Sequence, residues 1–192
     1  IALVIPSGSD SSSFIRMVKL LPDDVEQFYF FDVAVLQTDE DMQATWDSIK
    51  EYYIGEDLYG ENVSKITGLG LVGSQGEISI YAGDFDLEQM EAAIEESSVE
   101  SFDYEGFTIW TDMYSYSTAV INDAVFIGSA EGIQSCIDVV KGQSTSLYVN
   151  KDVKDFIGRL SDGYMLGVAV VGEGSSSTET YGVLAGGMVA SK

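Results

Sequence analysis

Apolar residues recur along this chain at two spacings, and the alternation between them predicts its elements. Phe14, Met17, Val18 and Leu21 stand at i, i+3, i+4 and i+7, the spacing of one helix face. Pro22-Asp23-Asp24 interrupts that stripe, and a strongly apolar run over 28–36 follows as a buried strand. The same helical spacing returns 139 residues later at Val153, Phe156, Ile157 and Leu160. Ser161-Asp162-Gly163 and a second apolar run over 164–171 come after it. The pattern predicts two copies of one helix–turn–strand unit.

Between these copies the spacing alternates. Met42, Trp46, Ile49 and Tyr53 form a helical stripe with Thr38 as its N-cap. Residues 63–72 and 77–82 read as strands around the turn-forming Gly73-Ser74-Gln75-Gly76. Gly83-Asp84-Phe85-Asp86 leads into a helix carrying Leu87, Met90 and Ile94, with Asp86 and Gln89 at capping-box spacing. Strands over 107–111 and 118–121 follow, and Asn122-Asp123 forms a two-residue hairpin turn into 124–128. Next comes a helix with Ile133, Cys136, Ile137 and Val140 on one face. A polar loop over 174–180 precedes a last strand over 181–190. Hairpins mixed with single helices indicate the α+β class: a mostly antiparallel sheet with helices packed on one face, built from two related helix–turn–strand units.

The folded body spans 14–192, as one domain or as subdomains over 14–112 and 113–192. Residues 1–13 are an apolar start, Ile1-Ala2-Leu3-Val4-Ile5-Pro6, and a Ser/Gly-containing polar stretch. They read either as a short first strand or as the tail of a membrane anchor and its linker. The second helix–turn–strand copy stops earlier than the first, which predicts that the natural chain continues beyond Lys192.

Charge changes this picture most. There are 32 Asp and Glu against 9 Lys and Arg, a formal net charge of −23, and no histidine. Nucleic acid is therefore no partner, because phosphate binding needs clustered cations. Without histidine, Ser-His-Asp and Cys-His catalysis is excluded. Cys136 is the one cysteine, so no intramolecular disulfide and no multi-cysteine metal site can form. Its apolar helical neighbours make it a buried structural residue. With 45% hydrophobic residues and two prolines, the chain is composed to fold despite its self-repulsion. Such acidity fits an extracytoplasmic protein, a halophilic one or a calcium binder.

Few motifs carry chemistry. Gly68, Gly70 and Gly73 have G-x-G-x-x-G spacing but lie in a strand pattern that leads to another strand, so they are not a dinucleotide loop. Paired carboxylates could hydrolyse a glycan without histidine, with Trp46 or Trp110 as a stacking platform. Asp32 is the most unusual acid, set inside an apolar run. A buried carboxylate there would be a candidate acid; a strand-end cap is the simpler reading. Asp84 and Asp86, or Asp39 and Asp41, offer hard oxygen ligands for calcium, although both pairs stand where helix-start carboxylates are expected.

The helix, Leu-Pro-Asp-Asp turn and apolar strand over 14–36, Gly-Asp-Phe-Asp opening a helix, and Tyr-x-Gly before a strand together resemble uncharacterised exported bacterial proteins. Those proteins are membrane-anchored or lipoprotein-like and built from repeated α+β units; no lipobox cysteine stands in this chain. The resemblance implies an extracytoplasmic location, at the cell surface or in the periplasm, and brings no catalytic residues. The expectation is a non-enzymatic binding or structural module, without a cofactor. It is tethered through an N-terminal anchor and has a protein or glycan partner at the cell surface. A carboxylate-based glycan hydrolase and a calcium-stabilised surface protein are the alternatives.

Overall fold

Two glycines set the spacing at the centre of the fold. In the computed structural model, which describes residues 13–25, 27–73, 77–151, 153–154, 165–170 and 183–186, helix α1 (Ser13–Leu20) lies across strand β1 (Gln27–Asp32). A Cβ on Gly68 would stand 2.8 Å from a Phe30 ring carbon. One on Gly70 would stand 2.7 Å from a Phe28 ring carbon and 2.9 Å from Met17 Sδ. The spacing that mimics a dinucleotide loop thus serves packing: the bare backbone of β4 (Ile66–Val72) seats two aromatic rings and α1.

Short α2 (Val33–Leu36) follows β1, then α3 (Gln43–Ile49), which continues as a π-helical turn over Lys50–Ile54. A small hairpin, β2 (Asp57–Leu58) and β3 (Glu61–Asn62), leads into β4. Next come β5 (Ile78–Gly83), α4 (Leu87–Ser97), β6 (Glu100–Tyr104), β7 (Phe107–Thr111), β8 (Ser117–Ile121), β9 (Ala124–Gly128) and α5 (Ala130–Val140). Strands β10 (Met165–Val170) and β11 (Val183–Gly186) complete the described elements. Among the described residues the main sheet has nine strands in the order β11-β10-β1-β4-β5-β9-β8-β7-β6. Every pairing is antiparallel. This is the α+β architecture expected, and the sheet runs unbroken across position 112.

The helices divide between both faces of the sheet instead of covering one. On the first face α1 and α5 bury Phe14, Met17, Val18, Ile133, Cys136 and Ile137 against Phe28, Phe30, Ile80 and Phe126. On the second, α2, α3 and α4 bury Leu36, Trp46, Ile49 and Met90 against Leu69, Leu71, Tyr81 and Val125. The cause is in the central strands. Both faces of β4 and β5 are almost wholly buried, as strands with apolar residues at successive positions require.

Three local readings change. The run over 28–36 is not one strand: Asp32 ends β1 and caps α2 by accepting the Val35 N–H at 3.1 Å. Thr38 is not the N-cap; its hydroxyl donates back to the carbonyls of Ala34 and Val35, and Asp39 caps the 3₁₀ turn Glu40–Met42 that precedes α3. The helical stripe slips at its end. The π turn, closed by Gly55 N–H donating to the Lys50 carbonyl, puts Ile54 inside and leaves Tyr53 41% exposed. The second helix–turn–strand copy falls mostly outside the described residues: Val153 is buried and β10 pairs with β1, but Phe156, Ile157 and Leu160 are not described. Residues 1–12 and the loop over 174–180 also lie outside them.

Candidate binding cleft

The ends of β4 and β5, the loop after α1 and the start of α5 enclose a cleft of about 420 Å³. Its floor is apolar, from Val25, Val72, Ile78 and Cys136, and three carboxylates, Asp24, Glu77 and Glu131, stand at its solvent-exposed rim. The walls are fixed by local chemistry. Ser129 caps α5, accepting the Gly132 N–H at 3.1 Å, while its own N–H donates to the Glu77 carbonyl at 3.4 Å. A Cβ on Gly132 would stand 2.6 Å from Ile78 Cδ1, so the glycine lets the helix lie close on β5. Behind the rim, Pro22 bridges to Ser146 and the Asp23 N–H donates to the Thr145 carbonyl at 2.9 Å.

Among the described residues that line it, the cleft holds no activated nucleophile. Burial, with a smaller contribution from Asp24, pushes the Cys136 thiol up to about 12, so at neutral pH it is a protonated, packed side chain. Ser129 is committed to its cap, and the Ser135 hydroxyl donates to the Glu131 carbonyl at 3.0 Å. What remains is a pocket whose base is apolar and whose lining includes three exposed carboxylates. That arrangement suits a small cationic group on a short apolar body. Each rim carboxylate, being solvated, would contribute only up to about 1 kcal/mol, and less in salt.

The acids singled out in the sequence lie elsewhere and are engaged locally. Asp32 caps α2 at the end of β1, and Asp39 accepts the Asp41 N–H at 2.9 Å. Asp86 caps α4, accepting the Gln89 N–H at 3.2 Å. Asp84 and Asp86 both lie near Lys65, whose charge they help to hold. Lys65 also pairs with buried Glu61 at 2.6 Å. This lysine supplies positive charge where calcium would have to supply it. Among the described residues no group of three His, Cys, Asp or Glu side chains is arranged to hold a metal ion.

Trp46 and Trp110 are 7% and 9% exposed. Trp46 packs among α2, α3 and the sheet, and Trp110 pairs with Ser101 and Thr118 across its two neighbouring strands. Stacking a sugar needs an open ring face, and both indoles spend theirs on packing. Asp24 stood in the sequence only as a turn acid, and Glu131 gave no signal there. Their convergence with Glu77 is produced by strand pairing.

No family model matches the chain. A segment is 29% identical over 86 residues to the uncharacterized protein MJ0635 of Methanocaldococcus jannaschii, covering 43% of this chain and 30% of that one. The fold is similar to the solved crystal form I of TP0453, with a TM-score of 0.51 at 7% identity over 80% of this chain and 62% of that one. Crystal form III of TP0453 gives a TM-score of 0.44 at 10% identity over 79% of this chain and 62% of that one. The chain thus spans under a third of the archaeal relative and under two thirds of the solved protein. At such identity the crystal form I likeness concerns the α+β architecture alone.

Proposed function

We propose that this chain is a non-catalytic binding module working outside the cytoplasm, and that it takes an amine or a basic side chain into the acidic cleft. One observation carries the reading. The exposed acids Asp24, Glu77 and Glu131 line one cleft with Val25, Val72, Ile78 and Cys136, whose thiol is held protonated, which provides charge and apolar surface for recognition. The location draws support from the net charge of −23 and the single, buried cysteine. An acidic surface keeps such a domain soluble and monomeric and attracts cationic ligands over a Debye length.

Calorimetric titration with spermidine, a lysine-containing dipeptide and a glutamate-containing dipeptide tests the cleft. The two amines should bind, more weakly as salt rises, and the Asp24→Asn/Glu131→Gln double variant should lose them. Equal binding of the acidic dipeptide, or an unaffected double variant, would refute the cleft reading. Fractionation of source cells tests the location, which is wrong if the native protein is free in the cytosol.

A further inference from the structure

The outer edge of the sheet carries a second surface, independent of the cleft. Among the described residues strand β6 ends the sheet beyond β7. The pairing Tyr104↔Phe107 closes a two-residue turn, so Tyr104, Phe102 and Glu100 exchange their backbone bonds with β7. Ser101 and Asp103 therefore face their N–H and C=O groups outward. No proline or lysine blunts this edge, and Glu100, Ser101, Phe102 and Asp103 are all exposed.

The loop beside it is stiff and apolar. Asp112 accepts the N–H groups of Tyr114 and Tyr116 at 2.8 and 2.9 Å. The Asp112 N–H donates to the Tyr116 carbonyl at 2.9 Å, which closes the turn. The loop thereby holds Met113, Tyr114 and Tyr116 out at 71%, 75% and 60% exposure. Val99, 65% exposed, is tied to the same end of β7 by its N–H donating to the Thr111 carbonyl. Five of the eight large hydrophobics exposed among the described residues lie on β6, on this loop or at Val99, a concentration that scattered surface residues do not produce. Rigid aromatics beside an open backbone edge are the features by which sheets accept an added strand.

Charge selects the occupant. A second copy would bring another −23 and set Glu100 and Asp103 against acids. An anionic membrane is repelled for the same reason. We propose that β6 receives an extended, basic segment of a partner protein as an added strand, with Tyr114 and Tyr116 packing against its apolar side chains.

The probe is a synthetic peptide of alternating Lys and Val, added to the full chain. Affinity is read by fluorescence anisotropy and backbone protection by hydrogen exchange. Exchange should slow at Ser101 and Asp103. N-methylation of alternate peptide amides should weaken binding about tenfold, since it removes backbone bonds and keeps charge. Tyr114→Ala/Tyr116→Ala should weaken binding while leaving the melting temperature nearly unchanged. A peptide with Glu in place of Lys should not bind. The proposal is overturned if the methylated peptide binds equally well, or if protection appears at Ser129 and Gly132 instead. It is equally overturned by absence of binding, by dimerisation through β6 in sedimentation, or by binding to lipid vesicles in preference to the peptide.

Discussion

Glu61 accepts the backbone N–H of Asp86 at 2.9 Å, which fastens the small β2–β3 hairpin to the first turn of α4. Asp86 caps the helix from its side chain, and Glu61 supplies from 25 residues away the second acceptor that a capping box normally takes from within the helix.

That contact predicts an acid-sensitive helix start. Hydrogen bonds from Lys65, then from the Asp86 backbone, hold the Glu61 carboxyl below the usual carboxylate range. A lowered folded-state pKa means that the unfolded chain takes up the proton first. The contribution is complete above the unfolded pKa and is lost as pH falls through the folded one. Melting temperatures from neutral to acid pH should therefore fall less steeply in Glu61→Gln. Glu61→Ala, which also removes the acceptor for Asp86, should melt lower than either at neutral pH.

Gly70→Ala tests the close approach of β4 to β1. Its methyl would overlap Phe28 and Met17, and overpacking of this kind costs about 1–3 kcal/mol. Urea unfolding should show an earlier midpoint with an unchanged slope. Phe28→Leu in that background should cost less than it does alone, because the two positions share one space.

Tyr81 predicts an alkaline limb. Burial raises its hydroxyl from 10.0 to about 12, and the hydroxyl donates to the Tyr53 carbonyl. The folded state holds this proton longer than the unfolded chain. Stability is thus intact below 10 and falls as pH rises toward 12, by roughly 2–3 kcal/mol in all. Tyr81→Phe should be less stable at neutral pH, having lost the hydrogen bond, and flatter across that alkaline window. Denaturant midpoints at stepped pH read both effects.

For the acidic pairs, calcium and magnesium at equal concentration should raise the melting temperature equally. Both would act by screening the charge of −23. A concentration-dependent excess for calcium alone would mean that the folded chain binds calcium.

Local chemistry made part of this fold legible. Asn122 takes φ 57° in its hairpin turn, Asp86 caps α4, and the stripe from Phe14 to Leu21 is buried as its spacing demands. Each depends on neighbours a few residues away. β6 was missed because Glu100, Ser101 and Asp103 are polar on an exposed edge, where no alternation is imposed. Ile54 displaced Tyr53 because one π turn shifts the phase of a stripe that sequence spacing assumes to be regular. The cleft was illegible for a different reason: Asp24, Glu77 and Glu131 meet only through pairings that span the chain.

The clasp between the two ends of the described core has a consequence during synthesis. The Leu147 N–H donates to the Leu21 carbonyl at 2.8 Å, and Ser146 donates to the carbonyls of Val18 and Lys19. One flank of α1 meets β4 early, but the flank facing α5 and this clasp stays uncovered until that sequence leaves the ribosome. At ordinary translation speeds this lasts on the order of ten seconds. Over that interval Phe14 and its neighbours form an uncovered apolar stripe on α1 of the nascent chain.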